Sequence, residues 1–189
     1  MFFGFGKKPK NATERLSEGR WQCASCDEWH EWPFDLAAFA PDPWQGPEEY
    51  EHNGALRLDG DFLSEDFCVL GGDHFLIRAV LTIPVIGLDE HFGFGCWSTL
   101  SRANFEKYLE GFDSIRPVQE ELWSGWLCNQ LADFVGVDPI ALWVQLRPGR
   151  QRPLLWVQDD DHPLAIAQTD GISVEHLLSI FARYGHEPA

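Results

Sequence analysis

The chain has 189 residues and a mass of 21.6 kDa, enough for one globular domain or one with a small appendage, and too short for two full ones. Apolar residues make up 44% and aromatic residues 14%, with 9 Trp and 14 Phe, so the chain can offset its ordering entropy by burial and wholesale disorder is excluded. With 14 Lys and Arg against 30 Asp and Glu the formal net charge is -16; such a surface repels phosphate backbones, which sets nucleic acid aside as a partner, and no apolar run approaches the ~20 residues of a membrane span.

The charge is unevenly placed. Residues 1–20 carry five basic and two acidic groups, whereas residues 21–189 carry 9 basic and 28 acidic ones. The opening Met1-Phe2-Phe3-Gly4-Phe5-Gly6 puts its apolar part ahead of Lys7, Lys8 and Lys10, the reverse of a secretory leader. These features predict a flexible N-terminal arm over residues 1–20, a single domain over 21–189 and a cytoplasmic location. Five cysteines, an odd number, do not make a complete disulfide framework, and in a reducing compartment thiols stay free or bind metal.

Residues 12–20 read as weakly helical, and Trp21 begins the folded part. Residues 23–32 are compact and turn-like. Pro33, Pro41, Pro43 and Pro47 exclude a long helix over 33–47 but leave room for a stub at 34–39. Short strands are expected at 55–58 and 67–70. The clearest strand covers 74–86, where Phe75, Ile77, Ala79, Leu81, Ile83 and Val85 alternate with more mixed positions and should face the core. Gly71-Gly72-Asp73 before it reads as a hairpin turn, and a third strand follows at 92–100 after a turn at 87–90.

Ser101 is placed to cap a helix running to about Gly111. Residues 113–121 read as a loop, and 123–131 suit either a strand or a short helix. Strands at 140–146 and 154–158 flank a hairpin connection containing Arg147, Arg150 and Arg152. Pro163 suits the first position of a short helix ending near Gly171. A last helix starts after Ser173, presents Leu177, Leu178 and Phe181, and stops at Gly185. The sum is an α+β fold: an antiparallel sheet with helices packed on one side and an N-terminal Cys/His zinc knuckle.

The knuckle is Cys23-Ala-Ser-Cys26-Asp-Glu-Trp-His30. Two thiolates separated by two residues grip one ion from a single turn, and a His four positions later brings its imidazole to the same ion. Zinc accepts S and N donors in a tetrahedron, and a structural site wants four. Cys68, in a neighbouring strand beside a hairpin, is the first choice for the fourth ligand, ahead of Cys128 and then His52 or His74. Water in the fourth position would make the site catalytic instead. A redox CxxC usually opens a helix after a strand, which the Pro-rich sequence here does not.

Other clusters have plainer readings. Asp159-Asp160-Asp161-His162 is an acidic lead-in to a helix rather than a cation site, and Asp59, Asp61, Glu65 and Asp66 form a solvated loop. The glycines around Phe94 lack a phosphate-binding pattern and mark a close backbone approach. Arg147, Arg150 and Arg152 sit on a solvated hairpin tip rather than an anion site. Cys96 and Cys128 have no His and acid spaced to make either a nucleophile. The nine Trp are read as core or interface residues rather than sugar-stacking platforms.

The order Trp21-x-Cys23-x-x-Cys26-x-x-x-His30, Ala40-Pro41, Asp66-x-Cys68 and Phe75-x-Ile77-Arg78 resembles domain-of-unknown-function family 2199, from bacteria. Ile83-Pro84-Val85, Phe92-x-x-Gly95-x-Trp97, Gly125-Trp126-Leu127, Arg152-Pro153 and Asp161-His162-Pro163-Leu164-Ala165 continue the resemblance. It implies a small cytoplasmic bacterial protein and makes Cys23, Cys26, His30 and Cys68 the preferred zinc ligands, without implying an activity. Asp27 stands where relatives place Gly, which would ease a tight turn around a metal.

The reading that follows is a zinc-stabilised, non-enzymatic binding module that presents an acidic surface to a protein or small-molecule partner, with no nucleic-acid or membrane role. The alternative is a metal-dependent hydrolase with an open zinc position and Glu28 or Glu31 as base. A redox or sensor protein, with Cys23 and Cys26 forming a reversible disulfide, is the third reading.

Overall fold

A computed structural model of the chain describes residues 14, 16, 19–112, 122–134 and 139–187. The expected loop at 113–121 and most of the expected arm at 1–20 lie outside the described residues. Leu16 is buried, and Arg20 opens the first strand.

The strands are β1 (Arg20–Gln22), β2 (Trp29–Glu31), β3 (Leu36–Ala37), β4 (Phe62–Leu63), β5 (Phe67–Leu70), β6 (His74–Pro84), β7 (His91–Leu100), β8 (Leu122–Trp126), β9 (Ala141–Gln145) and β10 (Leu154–Val157). The helices are α1 (Arg102–Phe112), α2 (Pro163–Asp170) and α3 (Val174–Arg183). The expected stub at 34–39 is the short strand β3, whose two residues lie along β7. The expected strand at 55–58 is absent among the described residues; a single 3-10 turn, Asn53–Ala55, precedes it. The ambiguous segment 123–131 begins within the strand β8.

β6 organises the sheet. Its five alternate apolar residues, continued by Val85, behave as the period-2 pattern requires: Phe75, Ile77, Ala79, Leu81, Ile83 and Val85 are all buried in one cluster. One edge of β6 pairs antiparallel with β7, from Phe75↔Leu100 to Ile83↔Phe92 and beyond. Its other edge is shared, by β5 antiparallel near the start and by β10 parallel at Val80 and Leu81. Since β3 also runs parallel to β7, the expected antiparallel sheet is in fact mixed. Turn signals report only neighbours along the chain, and β10 reaches β6 after α1, β8 and β9 have intervened.

The sheet also returns on itself. β10 pairs with β9 and β9 with β8. At the end of β8 a bridge joins Leu127 to Ser98 of β7, and the Cys128 N–H donates to the Trp97 carbonyl at 2.8 Å. Strands β6, β7, β8, β9 and β10 thereby form a closed ring around the main core, leaving few exposed edges. α1 and α3 cover that core at opposite ends of the β6–β7 ladder: Phe105 meets Phe75, and Phe181 meets Phe92. Both caps expected for α1 and α3 form, with Ser101 Oγ accepting the Asn104 N–H at 3.2 Å and Ser173 Oγ accepting the His176 N–H at 3.1 Å.

Ring closure depends on a missing side chain. A Cβ on Gly125 would lie 2.3 Å from the Thr99 carbonyl oxygen and 2.4 Å from Ser98 Oγ, so any side chain pushes β8 off β7. Gly125→Ala should therefore lower stability by about 2–3 kcal/mol and the thermal midpoint by about 4–12 °C, as read by calorimetry.

Candidate metal centre

The knuckle is a hairpin. β1 and β2 pair with Trp21 opposite His30, and the Cys23 N–H donates to the Glu28 carbonyl at 2.9 Å to close the turn. Asp27 adopts φ 60° within this turn, the left-handed conformation for which glycine carries no steric cost. Trp21 in turn packs against Phe34 and Phe181, which seats the hairpin on α3.

The chain's other end meets the same turn. After α3, Tyr184 caps the helix and Gly185 takes φ 80°. The Gly185 N–H donates to Ala182 at 3.1 Å and the His186 N–H to Phe181 at 2.7 Å, the paired bonds of a Schellman stop. The reversal turns His186 back onto Phe34, with ring centroids 5.1 Å apart. The Ala24 N–H donates to the Glu187 carbonyl, which fastens the tail to the turn.

Cys23, Cys26, His30 and His186 thus each bring one donor atom into a group no wider than 4.8 Å. Cys26 Sγ lies 3.3 Å from His30 Nε2 and 3.9 Å from His186 Nδ1. A zinc tetrahedron with ordinary Zn–S and Zn–N bonds has donor–donor edges of about 3.3–3.8 Å, so the widest pair of the group needs to close by about 1–1.5 Å to hold the ion. Two thiols and two imidazoles are a donor set that zinc favours.

The proton affinities shift in different directions within the group. Burial opposes ionisation of Cys23, but backbone N–H groups of Cys26 and Ser25, with the Cys26 thiol, hold its pKa below the ordinary thiol value. For Cys26 the Glu28 backbone favours the thiolate, yet desolvation and the neighbouring Cys23 leave its pKa raised. Desolvation, with His30 nearby, lowers the pKa of His186, which favours the neutral imidazole that ligates metal.

Of the four ligands expected from the sequence, Cys23, Cys26 and His30 come together and Cys68 does not. The register of β5 sets Cys68 opposite Leu76, on the face of β6 turned away from Phe75 and Ile77. There it packs with Leu63, Leu76 and Trp97 in a second apolar cluster, and burial pushes its thiol up to about 12. Desolvation likewise raises Cys96 to about 12 and Cys128 to about 11, values that suit buried thiols rather than nucleophiles. His52 accepts the Gly54 N–H. His186 is not legible in the sequence, because a His one residue past a glycine helix stop carries no metal-binding spacing.

The other clusters settle as packing. His162 Nδ1 accepts the Leu164 N–H as the cap of α2, Arg152 reaches Glu65 at 3.1 Å and Asp66 at 3.4 Å, and Gly93 leaves room for the Asp35 carboxylate.

The chain matches, over residues 22–172, the family described as an uncharacterised protein conserved in bacteria, DUF2199, and belongs to that family. The matched stretch contains Cys23, Cys26, His30 and Cys68 and ends short of His186. No curated protein and no solved structure matches the chain.

Because Asp27 pays the steric cost of a left-handed backbone, Asp27→Gly should stabilise the protein by about 0.5–1 kcal/mol. The expected reading is a thermal midpoint higher by about 1–4 °C, with metal content unchanged.

Proposed function

We propose that the chain is a zinc-stabilised, non-enzymatic binding module acting in a reducing cytoplasm, with Cys23, Cys26, His30 and His186 holding one structural zinc ion. The observation that carries this reading is the convergence of four S and N donors within 4.8 Å. When bound, zinc supplies a cross-link between the N-terminal hairpin and the tail behind α3, a role in which metal affinity becomes folding free energy. Four protein donors fill a tetrahedron, which weighs against the open position a zinc hydrolase requires. Glu28, one of the two bases expected for that alternative beside Glu31, contributes its backbone carbonyl to the turn.

The rest of the reading concerns charge. With a net charge of -16, the surface favours partners carrying positive charge and speeds their encounter, an effect that salt screens.

Protein purified without chelator should contain about one zinc per chain by elemental analysis, and chelation should lower its thermal midpoint. His186→Ala should reduce the content to well under half, while Cys68→Ser should leave it unchanged. A content below about 0.2 zinc per wild-type chain would end this reading.

A further inference from the structure

The outward face of the strands β8, β9 and β10 has a composition unlike the rest of the chain. Trp156 stands directly opposite Trp143, Trp143 opposite Ser124, and Trp126 lies two residues further along the same side of β8. Their inward neighbours Trp123, Val144 and Leu155 are buried, whereas Trp126, Trp143 and Trp156 are 51%, 41% and 38% exposed. The three strands have eight outward positions, three on β8, three on β9 and two on β10. None of them is charged, in a sequence whose residues are 23% charged. Trp156 is also held in place: its Nε1–H donates to Gln145 Oε1 at 2.8 Å.

At the Trp126 end the face runs into a cleft of about 570 Å³. Ser124 and Trp126 form its near wall, and Ser101, Asn104, Gln158 and His74 line the remainder. Its lining offers hydroxyl, amide and imidazole groups, with no Asp, Glu, Lys or Arg.

We infer that this face and cleft bind a neutral oligosaccharide. Pyranose rings present polarised C–H groups that sit on the electron-rich face of an indole, and their hydroxyls bond to amides and hydroxyls without needing a charge. The alternatives fit less well. A phosphate-bearing ligand would meet a chain of charge -16, and a basic protein would be drawn to acidic surface rather than to this uncharged face. A second copy would bring a second charge of -16, and a stable dimer buries about 800 Å² per partner, more than a patch of three half-exposed Trp and Leu122 supplies. The inference uses no metal ligand and stands apart from the zinc reading.

The test is a titration of the purified full chain with hexasaccharides of glucose (β-1,4 and α-1,4), N-acetylglucosamine, xylose and mannose, read by tryptophan fluorescence and calorimetry. At least one should give a saturable response. Trp143→Ala and Trp156→Ala should each weaken it about tenfold, one stacked ring being lost, while Trp29→Ala, on the N-terminal hairpin, leaves it unchanged. Oxidation by N-bromosuccinimide, mapped by mass spectrometry, reads the same site without a variant: the bound sugar should protect Trp143 and Trp156 and leave Trp29 reactive. No saturable response to any of the sugars, binding that survives both substitutions, or binding of a proline decamer in place of the sugars would overturn the inference.

Discussion

Everything in the fold is arranged about the two faces of β6. One face carries Phe75, Ile77, Ala79, Leu81 and Ile83 into the main core; the opposite face carries Leu76 and Arg78. Arg78 is buried, and its charge is met without a carboxylate among the described residues. Its Nη2 donates to the Ala38 carbonyl at 2.7 Å and its Nη1 to the Tyr50 hydroxyl at 3.0 Å, while the guanidinium lies over Trp97 and Tyr50. Carbonyl and hydroxyl dipoles with two π faces replace water around the cation. The same contacts hold the Pro-rich loop against the sheet, because the Tyr50 hydroxyl donates onward to Phe39 at 2.7 Å. Asn129 completes the latch, accepting the Trp97 N–H and donating to Ala40 at 2.9 Å. Ring closure and loop placement therefore share one polar seam at Trp97.

The alternation of β6 also decides which thiols can meet. Cys68 is tied by strand register to the Leu76 side, and no rotamer carries its sulfur through the sheet to the Phe75 side where the knuckle sits. A donor for the knuckle has to come from something lying against that first face, and α3 does so through Phe181. Its helix stop then aims the next residue, His186, at a turn 160 residues away in sequence. Closing so long a loop is entropically costly in the unfolded chain, which is why a cross-link there is worth more than one between neighbouring strands.

Local chemistry was legible in the sequence wherever one short stretch determines the outcome. The alternation over 74–86, the caps Ser101 and Ser173, Pro163 at the start of α2 and the Gly185 stop each appear where their residue types require. The knuckle residues Cys23, Cys26 and His30 were legible for the same reason. What was hidden depends on pairings between distant segments: the parallel contact of β10 with β6, the ring closure at Ser98 and Leu127, and the fourth donor. Cys68 lies near a hairpin in sequence, yet a one-residue difference in register decides the face of a strand. The three outward Trp were hidden too, since composition alone does not divide nine Trp between core and surface.

The identity of the fourth donor matters for charge as well as geometry. A zinc ion held by two thiolates and two neutral imidazoles has no net charge, whereas a third thiolate in place of His186 would leave the centre at about -1. In a chain already at -16, self-repulsion opposes compaction, and a further negative centre where the N-terminal hairpin meets the segment after α3 would add to it. A neutral centre of the proposed kind would join the two segments without that penalty. The same economy is seen on the β8–β9–β10 face, where charge is absent altogether. Of the acidic groups only Glu175 lies in the first turn of a described helix, α3, where the helix dipole favours it.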